Sequence, residues 1–331
     1  MKPAAVLAVL IGFFGSAQII HADLLFTSVP ITGSPFGIND SADIVGMSLD
    51  GQRTKGFLYS GGLVYNLSVP GSSNTFAYGI NNSGQIVGTA NGQTGTFGFL
   101  EMCGVYSPIT VPGASGTTVR GINDAEQIVG YFGDSTGRQI GFLNTSDDIF
   151  TQISVPRAFS TFPYDINTAG EVVGYFTDSA GNADGFIYSN GIYTTVVVPG
   201  SSDTFVYGVN DAGQIVGSFI DSSGTHGFLE SNGIFTTFDA PDTLPTSGTF
   251  ARDINNAGQI LVWGNGSGTF LATETVVPEP SLACLTCAVL VGMRILRKQL
   301  NNRLRMPSIV STRSDRRHAT LTCDTKNPSC T

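Results

Sequence analysis

The stretch TFVYGVNDAGQIVGSF, residues 204–219, decides the fold. Residues 204–209 alternate and are rich in β-branched and aromatic side chains, the pattern of a half-buried strand. Asn210-Asp211-Ala212-Gly213 then has the chemistry of a tight turn. Asparagine caps it through its side chain, and glycine supplies the positive φ that closes a hairpin. Residues 214–219 read as the returning strand. Further on, Asp221-Ser222-Ser223-Gly224 is a second turn, residues 226–230 a third strand, Ser231-Asn232-Gly233 a third turn and residues 234–240 a fourth strand.

The same block occurs six times, beginning at Gly37, Gly79, Gly121, Asp165, Gly208 and Asp253, at intervals of 42 to 45 residues. The first five copies also carry a Gly-Phe-Leu-like triplet, centred on Phe57, Phe99, Phe142, Phe186 and Phe228, and then a stop at Pro70, Pro112, Pro156, Pro199 and Pro241. A repeat of this length with four antiparallel strands matches one propeller blade. The spacing predicts an all-β fold, a six-bladed β-propeller of four-stranded blades over residues 23–276. The sixth copy holds only three strands, at 249–254, 259–263 and 269–273, whereas residues 24–30 resemble the fourth strands elsewhere. An N-terminal strand is therefore expected to complete the last blade and close the ring, removing a free sheet edge. The alternative, an open β-solenoid, would need caps instead of complementary half-blades. Ala42 and Glu126 stand where four other turns have glycine. A looser or different turn is expected there, because a Cβ disfavours positive φ.

The chain begins Met1-Lys2-Pro3, runs apolar from Ala4 to Phe14, and then reaches small residues at Gly15-Ser16-Ala17 and Ala22. That order predicts a secretory signal peptide over residues 1–22, cleaved after Ala22 or, as second choice, after Ala17. Between Asp23 and Val277, 22 acidic residues stand against 6 basic ones, a net charge of −16. Such a surface repels phosphate backbones and argues against nucleic acid as a partner. Only Cys103 lies in the repeat region, so disulfides do not hold the fold.

Towards the C-terminus, Val277-Pro278-Glu279-Pro280 precedes an apolar run of 12 residues, 282–293, and the basic residues Arg294, Arg297 and Lys298. This order over residues 277–298 resembles the PEP-CTERM sorting signal of Gram-negative bacteria. The resemblance implies a membrane-held helix before processing, an exosortase-like processing enzyme as partner, and delivery to the cell surface or matrix. The run is shorter than the roughly 17 to 25 residues that span a bilayer. The chain also continues past the signal through 299–331, a polar, basic tail expected to be disordered. The repeats resemble the bacterial extracellular HAF family, whose triplet is matched best by His226-Gly227-Phe228. No activity follows from that resemblance.

No cofactor site and no metal site is read from the sequence. His226 is the one histidine of the mature repeat region, at a position occupied by Lys55, Phe97, Ile140 and Asp184 in other copies, and it reads as a tolerant strand edge. The turns opened by Asp134, Asp178 and Asp221 offer calcium one carboxylate each and read as ordinary hairpin turns. The sharper constellation is the residue just before each block: Phe36, Tyr78, Arg120, Tyr164, Tyr207 and Arg252. On the innermost strands these would form a ring at the central channel, where aromatic faces and guanidinium forks suit sugars or acidic groups. The competing reading is packing between blades. Function then divides three ways: a non-enzymatic binding module for polysaccharide or another surface component, a polysaccharide hydrolase or lyase, or a structural surface protein without a ligand. A glycosidase would need paired carboxylates. Asp165 and Asp253 replace glycine in their blocks but lie two blades apart, which reads as too far.

Overall fold

The computed structural model describes residues 18–20, 24–145, 149–243 and 247–274. Within them the chain is a ring of six four-stranded antiparallel blades, a β-propeller. Blade five shows the pattern, with strands Asp203–Val209, Ile215–Ile220, Thr225–Ser231 and Ile234–Phe238 running from the axis outward. The predicted strands fall within a residue or two of these.

The repeated glycine and phenylalanine explain each other. Gly217 pairs across strands with Phe228, and a Cβ on Gly217 would collide with the Phe205 carbonyl oxygen and the Phe228 ring. The equivalent phenylalanines Phe57, Phe99, Phe142 and Phe186 are, like Phe228, fully buried. Each contributes about 1.5–3 kcal/mol of apolar burial. They fill the space between neighbouring blades, so the core is a set of interblade wedges rather than one central mass.

The turn asparagines join the blades. Asn210 Oδ1 accepts the Ala212 and Gln214 N–H groups at 3.1 and 3.0 Å, which fixes its own turn. Its Nδ2 donates to Gln214 Oε1 at 2.8 Å and to the Asn255 carbonyl of the next blade at 3.2 Å. Asn39, Asn81, Asn123, Asn167 and Asn255 make the same interblade bond, at 2.9–3.3 Å, and Asn255 returns to the Asn39 carbonyl. Six asparagines thus form an unbroken hydrogen-bonded circle.

This circle corrects the expectation for Ala42 and Glu126. Both adopt the left-handed conformation, at φ 60° and 61°. Ala42 N–H donates to the Asn39 carbonyl at 3.0 Å and Glu126 N–H to that of Asn123 at 3.1 Å, just as Gly213 N–H does to Asn210 at 3.0 Å. The left-handed cost of roughly 1–2 kcal/mol is overridden because asparagine side-chain bonds fix the turn from both sides.

The ring closes as the sequence predicts. Leu24–Val29 pairs antiparallel with Gly268–Glu274, Leu24 opposite Glu274 and Val29 opposite Thr269. Phe26 packs against Phe238 of blade five and Phe270, with centroids 6.1 and 6.2 Å away. A further short strand, Gln18–Ile20, lies parallel to the outer strand of blade five, Ile19 opposite Phe235. It falls inside the expected signal peptide, so cleavage after Ala17 keeps it and cleavage after Ala22 removes it. The rest of that peptide, the expected sorting signal and helix, and the tail lie outside the described residues. Among the described residues no helix is long and apolar enough to cross a membrane.

Deleting residues 23–30 should expose the outer edge of the last blade and cost the domain its cooperative melt or its monomeric state. Unchanged melting and monomeric sedimentation of the deletion variant would contradict a load-sharing closure.

Candidate functional site

In every innermost strand the register slips by one residue, between Pro35 and Gly37, Ala77 and Gly79, Val119 and Gly121, Pro163 and Asp165, Val206 and Gly208, and Ala251 and Asp253. The residue skipped in each case is the predicted ring residue. A bulge bends its strand and re-aims the extra side chain. Here it brings all six to the axis, where they line one cavity.

They touch in a closed sequence. Phe36 meets Tyr78 edge-on at 5.0 Å between centroids. The Arg120 guanidinium lies 4.0 Å from the Tyr78 ring centre and 4.7 Å from that of Tyr164. Tyr164 meets Tyr207 at 5.2 Å. Arg252 then completes the circle, 5.5 Å from the Tyr207 ring and 5.6 Å from Phe36. Burial raises the pKa of the Tyr78 and Tyr207 hydroxyls, so they stay neutral. The ring therefore packs blade against blade, and the same packing sets two cations on the axis.

The ring divides the axis into two unlike sides. Two residues earlier in the strands, Phe76 stacks beneath Tyr78 at 6.0 Å and Phe205 beneath Tyr207 at 6.3 Å. Second strands add to this layer. Tyr131, Phe162, Tyr175 and Phe205 follow one another at 5.1, 4.8 and 5.0 Å across blades three to five. Phe250 and Trp263 meet at 5.5 Å in blade six. All of these rings are partly exposed. Sequence reasoning missed this aromatic platform. The signal that marks it is strand alternation, since it lies two residues before the ring position and directly across from it on the next strand.

On the other side lie the asparagine turns. A cavity of about 70 Å³ opens there, and a second of about 30 Å³ sits against the ring. Asp165 and Asp253, read from the sequence as too far apart to act as a pair, both line these cavities. Their Oδ2 atoms accept the Val209 and Ile38 N–H groups of the next blades at 2.9 and 2.8 Å. Burial pushes the Asp165 carboxyl up to about 7 against those hydrogen bonds, and Asp211 adds to the rise. Burial, then the charge of Asp165, raises Asp253 well above the usual carboxylate range. At the rim, exposed Asn82 bridges Asp40 and Asp124 at 2.8 and 2.9 Å, and Asn256 bridges Asp40 and Asp211 at 3.1 and 3.0 Å.

His226 has more company than a tolerant edge would give it. Its Nδ1 lies 2.8 Å from Asp239 Oδ1 and its Nε2 2.9 Å from Ser223 Oγ, the contact order of a hydrolase triad. However, Ser223 Oγ donates to Asp221 Oδ1 at 2.6 Å, and the Ser223 and Gly224 N–H groups donate to the same oxygen. Asp221 thus takes both the hydroxyl proton and the backbone donors that an oxyanion would require. The turns at Asp134, Asp178 and Asp221 are side-chain-capped hairpin turns, as read. Among the described residues no three His, Cys, Asp or Glu side chains come together to hold a metal ion. Cys103 is exposed and unpaired.

No family model matches the chain, and no curated protein is similar to it. Among solved structures it is similar to TolB from Acinetobacter baumannii, with a TM-score of 0.50 and 14% identity over 64% of this chain and 52% of that one. It thus spans about half the length of TolB. It is also similar to XC5397 from Xanthomonas campestris, described as a gluconolactonase, with a TM-score of 0.48 and 13% identity over 78% and 92% of the two chains. The fucose-specific lectin from Aleuria aurantia follows, with a TM-score of 0.41 and 13% identity over 71% and 92%. Enzyme and lectin stand side by side here, and the likeness is one of fold alone.

The raised carboxyls set a pH dependence. An unfolded aspartate titrates at about 3.9. Between there and about 7 only the folded chain keeps the Asp165 proton, so stability is fullest below that window and falls as pH rises through it. Asp165→Asn, which keeps an oxygen for the Val209 N–H, should flatten the fall in melting temperature between pH 4 and 7 and melt higher at pH 7. An unchanged slope would place the titration elsewhere.

Proposed function

We propose that this protein is an exported, non-enzymatic propeller that binds polysaccharide or another cell-surface component on the aromatic platform. The observation that carries the reading is the continuous run Tyr131, Phe162, Tyr175 and Phe205, partly exposed and backed by the closed ring of Phe36, Tyr78, Arg120, Tyr164, Tyr207 and Arg252. Aromatic faces offer sugars a large, rigid and amphipathic contact. Hydrolysis finds less support. The Asp165–Asp253 side is confined to cavities of about 70 and 30 Å³, far below the roughly 300 Å³ at which ligand pockets begin. The Ser223 hydroxyl is committed to Asp221.

A polysaccharide array, with eluted glycans checked for shortening, separates the readings. Intact bound glycan supports the binding module, shortened glycan the hydrolase or lyase, and no capture the structural protein. Trp263 is the single tryptophan of the chain and lies in the platform, so its fluorescence should report the bound glycan directly. Phe205→Ala should weaken that titration by about 1–3 kcal/mol, the scale of an interface anchor. A loss of melting temperature with affinity intact would reassign Phe205 to packing.

Export and surface delivery rest on the signal peptide and on the resemblance of Val277-Pro278-Glu279-Pro280 and its surroundings to PEP-CTERM, which also supports an exosortase-like partner. The host should then yield a surface or released form that ends near this motif. Intact protein found only in membranes, with Cys323 and the tail still attached, would show the signal to be inactive.

A further inference from the structure

We propose that the cavity against the axial ring binds a small monovalent anion, of chloride or formate size, between the guanidinium groups of Arg120 and Arg252. None of the platform rings lines this cavity. The argument begins with donors. A guanidinium carries five N–H groups and is always charged in a protein. Arg120 uses one donor on the Tyr131 hydroxyl, at 3.0 Å. Arg252 packs over Phe36, Tyr207, Phe250 and Trp263, and those faces take its charge but none of its in-plane N–H groups. In both arginines the Nε–H is buried and finds no acceptor in the protein.

Charge points the same way. Among the described residues the ion pairs are Lys55 with Asp50 and His226 with Asp221 and Asp239, so neither axial arginine has a carboxylate in contact. Both arginines are largely but not wholly covered, and a charge so placed is costly to leave without a counterion. The stacked aromatic rings offset part of that cost, and an anion on the donor edge would offset the rest. The cavity that both arginines line measures about 30 Å³, room for one guest of water or chloride size. Asp165 and Asp253 line it too, and burial favours their neutral form. As neutral carboxyls they add donors to an anion site; as carboxylates they would oppose it.

The direct test is to soak crystals of the mature protein in sodium bromide and compute an anomalous difference map. A single bromide peak on the axis, in hydrogen-bond reach of Arg120 and Arg252, is the expected result. In solution, melting temperature should rise with chloride or formate at constant ionic strength and not with isethionate, which is too large for the cavity. Whichever of chloride and formate acts at the lower concentration identifies the preferred shape. Arg252→Lys keeps the charge but loses the fork, and should raise the half-saturating concentration by about tenfold or more. Water alone in the cavity, with melting that responds equally to all three salts, would overturn the proposal. Asp165 and Asp253 would then supply the countercharge through water. A bromide peak without an anion-specific change in melting would be adventitious, and would overturn it as well.

Discussion

The propeller depends on one side chain used six times. The turn asparagine saturates both ends of its amide. Its oxygen fixes the local turn through an N–H four residues on, and its nitrogen ties that turn to the next blade's backbone. Because the nitrogen's partner is the carbonyl of the next asparagine, each turn's geometry is set partly by its neighbour, around to the start. An isolated hairpin could relax a strained residue at this place. A hairpin inside the circle cannot do so without breaking bonds in two blades, and so Ala42 and Glu126 hold a conformation that glycine would adopt more easily.

Against that frame the axis becomes a partition. Bulges in all six inner strands aim large side chains inward at one level, and on the asparagine side of that level the inner strands approach each other backbone to backbone. A Cβ at Gly79 would meet the Arg120 carbonyl at 2.8 Å, and one at Gly208 the Asp253 Cα at 2.7 Å. Where aspartate replaces glycine, its carboxyl group reaches across the seam and an oxygen accepts an N–H that the next blade presents. The result is a disc with two different faces, one hydrogen-bonding and acidic at its rim, the other aromatic.

Much of this was legible in the chain. The turn chemistry around Asn210 and Gly213 located the hairpins, the Gly-Phe pairing located the third strands, and the orphan strand at residues 24–30 predicted the closure. The six axial residues followed from asking which position precedes the turn. What escaped were consequences of curvature. Asp165 and Asp253 are separated by a whole blade in sequence, yet converge because inner strands crowd the axis. The platform escaped because Phe162 and Tyr175 sit on different strands, and their contact with Phe205 crosses a blade boundary. Ser223 and His226 are three apart in sequence, but their link to Asp239 needs the third and fourth strands paired.

The closing strand imposes an order in time. Residues 24–29 are the first of the propeller to be made, and their partners at 269–274 the last, so the earliest strand waits through the synthesis of nearly every repeat. Five blades can form hairpin by hairpin as they emerge, each from neighbours in sequence. The sixth cannot. A chain made N-terminus first carries an unclaimed strand until its last residues arrive. During that interval two chains emerging side by side can exchange their leading strands. Dilution, or a companion that shields the strand, then decides how many rings close on themselves.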